Sequence, residues 1–257
     1  VKAATRKPEV YAAQPNVEAI TFELDNSDTY APALEGVNRV FLLSSKSGDT
    51  EPQTTLNPFI DHAKTSGVQH IVLMSAMGVD QGEDRGLRKV EKHLMASGIA
   101  FTILRPNWFM QNFNPGFLLP SIQEKGAIYL PTDDAKSSFI DTRDIAAVAA
   151  VALTEDGHQG KEYTLTGAQA LGYAEAADII SQVAGRKISY IAISDDDMRG
   201  AMKSAGWPSE QIEFMIGLFH FVRQGWTAPI SPAVSSVLGR EPITFEQFAR
   251  ENADAWK

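Results

Sequence analysis

His70-Ile71-Val72-Leu73-Met74-Ser75-Ala76-Met77-Gly78 is the stretch on which the fold is read. A continuous apolar run closed by small residues marks a strand covered on both faces, as in the interior of a parallel sheet. In an open α/β sheet the ligand crevice lies beyond the carboxyl ends of the strands, so Ser75 to Gly78 are expected to border a site.

Outward from this strand, apolar runs and helical periods alternate. Upstream, Val1 to Thr5 reads as a strand ended by Arg6 and Lys7 and stopped by Pro8. Val17 to Phe22 is a second strand ending at Asp25, with Ser27 or Asp28 as the cap of a short helix closed at Gly36, and Val37 to Leu43 is a third. Leu56, Phe59, Ile60 and Ala63 recur at helical spacing up to Gly67. Downstream, Leu87, Val90 and Leu94 share one helical face ending at Gly98, and Ile99 to Leu104 is the next strand. This alternation predicts an α/β fold, a Rossmann-like doubly wound parallel sheet.

Past Arg105 the texture changes. Pro106 to Phe113 is an aromatic loop or short helix. Short strands are expected at Ala127 to Leu130, Ser138 to Ile140, Lys161 to Thr166 and Ile188 to Ile193. Helices are expected from Thr142 or Asp144 to Leu153 and from Tyr173 to Ala184. The remainder, from Asp195, is helical, broken at Gly206-Trp207-Pro208 and around Pro229 to Pro232. A boundary near Gly160 separates residues 1–160 from a smaller α/β lobe, 161–257, mostly helical.

Composition narrows the functions. The 257 residues are 44% hydrophobic and 21% charged, ordinary globular material, with a formal net charge of −9. That charge repels polyanions, so neither nucleic acid nor an anionic membrane surface is an expected partner. With no cysteine, thiolate catalysis and cysteine-metal sites are excluded. No apolar run approaches the roughly 20 residues of a membrane span, and a cytoplasmic setting is expected. The five histidines show no i, i+4 pair around a carboxylate, so no metal site is expected. Asp195-Asp196-Asp197 reads as N-terminal capping of a helix, and no Gly-x-Ser-x-Gly elbow supports a hydrolase.

The order Thr5-Arg6-Lys7-Pro8, Leu34-Glu35-Gly36-Val37, Ser75-Ala76-Met77-Gly78, Glu91 with Ser97-Gly98, Thr102-Ile103-Leu104-Arg105-Pro106, Trp108-Phe109-Met110-Gln111-Asn112 and Phe139 to Ala146 resembles the NmrA-like, atypical short-chain dehydrogenase/reductase family. That family holds NAD(P)H-dependent quinone reductases, triphenylmethane reductases, festuclavine-dehydrogenase-like enzymes and silent dinucleotide sensors. The likeness runs nearly end to end, and Arg-Pro-x-x-Phe-Met-x-Asn is its most specific part. It implies an NAD(P)-binding domain over 1–160 and a substrate-covering lobe over 161–257.

Two departures qualify the resemblance. The family's opening strand and Gly-x-x-Gly-x-x-Gly loop, which let backbone amides approach a pyrophosphate, have no counterpart here. The expectation is that roughly the first half of a ~30-residue βαβ unit lies upstream of Val1 in the natural protein. The second departure is chemical. Typical members carry Tyr-x-x-x-Lys on the helix after the Ser75 strand, where the lysine lets the tyrosine pass a proton. With Glu91 as the family's glutamate, those positions fall at Glu83 and Leu87, and neither does that work. Lys89 and Lys92 lie on other faces and read as solvated lysines. Hydride transfer to a conjugated acceptor needs no dedicated acid, which points to quinone-like, iminium or dye-like acceptors.

The resemblance implies roles for particular residues, each with a plainer alternative. Arg6 and Lys7 suit a 2′-phosphate, hence NADP with NADPH preferred over NADH, or form an exposed basic turn. Asp25 contacts adenine or caps the next helix. Leu43, Ser44 and Ser45 lie along the coenzyme. Ser75 bonds ribose or substrate, or satisfies the strand end. Pro106 and Asn107 flank the nicotinamide. Ala76, Trp108, Phe113 and His220 are candidates for the substrate, against core packing for the aromatics and a structural role for the histidine. The leading function is an NAD(P)H-dependent oxidoreductase of a small planar, aromatic or quinone-like substrate. A non-catalytic NAD(P)-binding redox sensor is the alternative, and an epimerase-like enzyme would need the absent tyrosine. A homodimer is a candidate assembly.

Overall fold

The computed structural model describes residues 1–44 and 51–257. Its strands are β1 (Lys2–Thr5), β2 (Glu18–Thr21), β3 (Arg39–Leu42), β4 (His70–Met74), β5 (Ala100–Pro106), β6 (Ala127–Leu130), β7 (Lys136–Ser137), β8 (Lys161–Leu165), β9 (Leu171–Gly172) and β10 (Ser189–Ala192). Its α-helices are α1 (Tyr30–Leu34), α2 (Gln53–Thr65), α3 (Leu87–Ser97), α4 (Leu119–Lys125), α5 (Thr142–Thr154), α6 (Tyr173–Ala184), α7 (Asp195–Ser204), α8 (Ser209–Arg223), α9 (Ala233–Leu238) and α10 (Phe245–Glu251).

One sheet has the order β3-β4-β5-β8, and β1 and β2 form a parallel pair of their own. β3 and β4 run parallel with Leu42 opposite Leu73. Ile71, Val72 and Leu73 have no exposed surface, as a strand apolar on both faces requires. The helices on this sheet follow their apolar period. Leu56, Phe59, Ile60 and Ala63 of α2 are buried, as are Val90 and Leu94 of α3. α3 ends at Gly98, whose φ of 85° is left-handed backbone that glycine adopts without a Cβ penalty.

The chain forms two compact units: residues 1–75, 79–103 and 152–162, and residues 76–78, 104–151 and 163–257. The two units are interleaved along the chain. The cause is strand pairing, because β6 pairs in parallel with β10, from Ala127 opposite Ser189 to Leu130 opposite Ala192, and so commits the middle of the chain to the second unit. The first unit is built around Leu24, Tyr30, Phe59, Leu73, Val90 and Leu94. The second has an aromatic core in which Phe113 meets Phe139, Tyr173 and Phe245 at 4.9–5.8 Å between ring centroids.

Two local expectations are corrected. The helix closed at Gly36, α1, follows Thr29 with no side-chain cap, and the tight turn 27–29 that leads into it is capped by Asn26, whose Oδ1 accepts from the Asp28 amide at 3.2 Å, so neither Ser27 nor Asp28 caps the helix. The strand expected at Ser138 to Ile140 is replaced by β7 just before it and by a parallel bridge between Ile140 and Phe109.

Candidate functional site

In the first unit the candidate residues Leu43, Ser44 and Ser75 follow the carboxyl ends of β3 and β4. Their register carries Leu43 and Ser44 to the same end of the sheet as Met74 and Ser75. Leu43 is 41% exposed there, an apolar surface at a strand end. Ser45 lies outside the described residues. Ser75 is nearly buried, and its Oγ donates to Glu91 Oε1 at 2.6 Å. Glu91 sits on the buried face of α3, and its Oε2 accepts from Arg88 Nη1 at 2.7 Å. A carboxylate removed from water needs such donors, and here both oxygens have one.

Ahead of that helix, the positions that would hold a tyrosine and a lysine are settled by packing. Glu83 precedes α3 and pairs loosely with Arg85 at 3.5 Å, both side chains largely in solvent. Leu87 opens the helix and packs against the first unit's core. Lys92 pairs with Asp84 at 3.0 Å on the surface.

Arg6 and Lys7 follow β1 and are exposed, and among the described residues neither has an acidic partner. Asp25 follows β2. It lies close enough to Tyr30 to add, after burial, to the upward shift of that phenol, whose hydroxyl donates to the Leu24 carbonyl.

In the second unit Met77 donates its backbone N–H to the Pro106 carbonyl at 3.0 Å, which ties the Ala76 loop to the end of β5. Asn107 is buried, and its Nδ2 donates to Thr227 O at 2.7 Å and Ser138 Oγ at 2.8 Å, while its Oδ1 accepts from the Trp108 amide. The Asn107 side chain is thus committed to tying three segments of the protein together, with both amide hydrogens in use. Trp108 stacks on Phe219 of α8, centroids 5.7 Å apart and planes 8° from parallel, and stays partly exposed. Phe113, read as a substrate contact, is fully buried among aromatic rings and has no face for a ligand. His220 is half-exposed, its Nε2 2.8 Å from Asp195 Oδ2. Arg223 holds both oxygens of Asp195 at 2.8 and 3.0 Å, and its hydrogen bonds, with that of His220, hold the carboxyl below its ordinary range despite burial.

The Phe139 to Ala146 motif has a structural meaning. Burial pushes the Asp141 carboxyl up, but bonds from Arg143 Nε and Nη2, the Arg143 amide and Gln111 outweigh it and the net shift is down. Asp144 accepts from the Ile243 amide at 2.7 Å and pairs with Arg240 at 2.7 Å, anchoring the C-terminal loop.

Sequence reasoning missed Arg88 and the pairing of Phe219 with Trp108. The first had a local signal, the i, i+3 spacing to Glu91 on one helix. The second had none, since 111 positions of chain separate the two rings.

Parallel strands alternating with helices, with the candidate residues beyond the strand carboxyl ends, are the architecture of the Rossmann-like class. Residues 1–156 match the family described as NAD(P)H-binding, and the chain belongs to that family. The chain is 35% identical over 244 residues to the NAD(P)H azoreductase of Xenophilus azovorans, covering 93% of this chain and 84% of that protein. Its fold matches the Escherichia coli NADPH-dependent quinone oxidoreductase in complex with NADPH, with a TM-score of 0.78 and 27% identity over 91% of this chain and 83% of the other. The Citrobacter sp. triphenylmethane reductase complexed with NADP(H) also matches in fold, with a TM-score of 0.78 and 22% identity over 92% and 84% of the two chains. The resemblance read from the sequence holds. Among the described residues no helix is long and apolar enough to cross a membrane.

Proposed function

We propose that the protein is an NAD(P)H-dependent reductase that transfers hydride to a small planar, electron-poor acceptor of the quinone, azo, iminium or dye class. The observation that carries this reading is the β4–α3 corner. Ser75 is there, but the tyrosine and lysine positions are occupied by Glu83, in solvent, and Leu87, in the core. Among the described residues at that corner no tyrosine–lysine pair stands ready to protonate an alkoxide, which favours an acceptor whose reduced form delocalises its charge or takes its proton from water.

The coenzyme supplies the hydride. In the first unit, Leu43, Ser44 and Ser75 line the coenzyme, Asp25 stands toward its adenosine, and Arg6 and Lys7 take a 2′-phosphate, which favours NADPH. In the second unit, Ala76, Pro106 and the backbone of Asn107 belong to the nicotinamide and substrate side, and Trp108 offers a planar acceptor an aromatic surface backed by Phe219. His220 is tied to Asp195 and serves at most as an outer contact. The relative that acts on azo compounds by its name and the quinone reductase that shares the fold support the acceptor class.

The test follows NADPH absorbance during incubation with a panel of quinones, azo dyes and triphenylmethane dyes. Acceptor-dependent oxidation is expected, faster with NADPH than with NADH. Tight NADPH binding without turnover across the panel would replace this reading with that of a redox sensor.

A further inference from the structure

The Ser75–Glu91–Arg88 chain fixes the direction of a hydrogen bond. A serine hydroxyl has one hydrogen and two lone pairs, and an ionised carboxylate has only lone pairs. Glu91 is fully buried and has the Arg88 guanidinium 2.7 Å from Oε2, so it is an ion-pair partner that accepts at both oxygens. The single hydrogen of Ser75 is therefore spent on Glu91 Oε1, 2.6 Å away and 16 residues along the chain. What Ser75 has left for a ligand is a lone pair.

We propose that Glu91, steadied by Arg88, is a positioning residue that makes Ser75 a hydrogen-bond acceptor for an O–H or N–H donor on the nicotinamide half of the coenzyme. This rests on the coenzyme-binding reading and deepens it. Ser75 then grips the coenzyme and is withdrawn from the task of donating a proton to the acceptor. Two donors on that half have the right chemistry, the ribose hydroxyl and the carboxamide N–H.

The polarity can be inverted without changing shape. In Glu91→Gln, Arg88 has only donors and claims the amide oxygen, which turns the amide NH₂ toward Ser75. That NH₂ donates to Ser75 Oγ, the Ser75 hydrogen is released toward the ligand, and donor meets donor. A purely structural Glu91 would act on stability alone and independently of Ser75.

The experiment measures Kd by fluorescence titration for NADPH and for 2′,5′-ADP, which lacks the nicotinamide half. It uses the native protein, Ser75→Ala, Glu91→Gln and the double variant, with Tm recorded for each. Ser75→Ala is expected to weaken NADPH binding about fivefold, the loss of one hydrogen bond. Glu91→Gln is expected to weaken it at least as much, and to add nothing in the Ser75→Ala background, while 2′,5′-ADP binds equally to all four. The NADPH analogue with an acetyl group in place of the carboxamide separates the two donors. Its binding is insensitive to Ser75→Ala if the carboxamide is the partner and sensitive if the ribose is. Native NADPH affinity in Ser75→Ala, or additive losses in the double variant, overturns the proposal, and the first of these decides even if Glu91→Gln fails to fold. Failure of the native protein to bind NADPH at all would instead remove the coenzyme-binding reading.

Discussion

The indole of Trp108 lies almost parallel to the ring of Phe219, with 5.7 Å between centroids and 8° between planes. One ring is partly exposed and the other fully buried, so Phe219 fixes the plane that Trp108 presents. An offset pair of this kind contributes about 1 kcal/mol beyond its buried area. Replacing Phe219 by Leu keeps an apolar side chain at the position and removes the stack. The KM for a planar quinone is expected to rise about fivefold while the Kd for NADPH stays unchanged. Steady-state kinetics with one quinone, beside an NADPH titration, checks this, because a raised quinone KM with coenzyme affinity retained identifies the stack as the cause.

Arg6 and Lys7 project from the end of β1 with no acidic partner among the described residues. If they meet the 2′-phosphate, the Arg6→Ala, Lys7→Ala double variant loses charge-assisted bonds to NADPH only. Its Kd for NADPH is expected to rise by at least about tenfold while that for NADH is unmoved. Parallel losses for both coenzymes would place the two cations elsewhere.

His70 is buried, with Nε2 2.9 Å from Thr102 Oγ1, which itself donates to the His158 carbonyl. Burial first, then the charges of Arg39 and His158, lower the His70 pKa from its ordinary 6.5. Above about 6.5 the ring is neutral in both folded and unfolded chains and adds no pH dependence. Below it the unfolded chain takes up a proton that the fold resists, so stability falls with pH until the lower folded value is reached. Tm is expected to drop between pH 7 and pH 5, and less steeply in His70→Gln, whose amide can still donate to Thr102. Asp141 and Asp195, with lowered carboxyl values, act in a separate window: they stabilise above their ordinary 3.8, and that support disappears as pH falls through their folded values.

Gly167 lies where a Cβ would stand 2.1 Å from the Phe139 carbonyl oxygen. That oxygen is backbone and cannot swing away. Gly167→Ala is expected to cost about 2 kcal/mol, the scale of an overpacked site, and to lower Tm by roughly 6 °C. Gly185→Ala makes a useful comparison, since its strain comes from a φ of 69° and no atom lies within 4 Å of its Cβ. A Tm unchanged in Gly167→Ala would show that the 139–167 contact relaxes.

By itself the sequence determined the elements that carry their own signal. β4 is legible because an interior parallel strand is apolar on both faces, and α2 and α3 because one face of a helix repeats every 3.6 residues. The family resemblance rests on short contiguous motifs, and it named the coenzyme class. Only the tertiary structure decided what those motifs hold. Asn107 finds its partners 31 and 120 residues away, Ser75 finds Glu91 on the following helix, and β6 finds β10 across the whole middle of the chain. Phe113 and Trp108, five residues apart in one aromatic run, differ in that one is sealed into the core and the other keeps a free edge. Composition and spacing report what a residue does to its neighbours in the chain, whereas burial and hydrogen-bond direction depend on segments that meet only when the chain has folded.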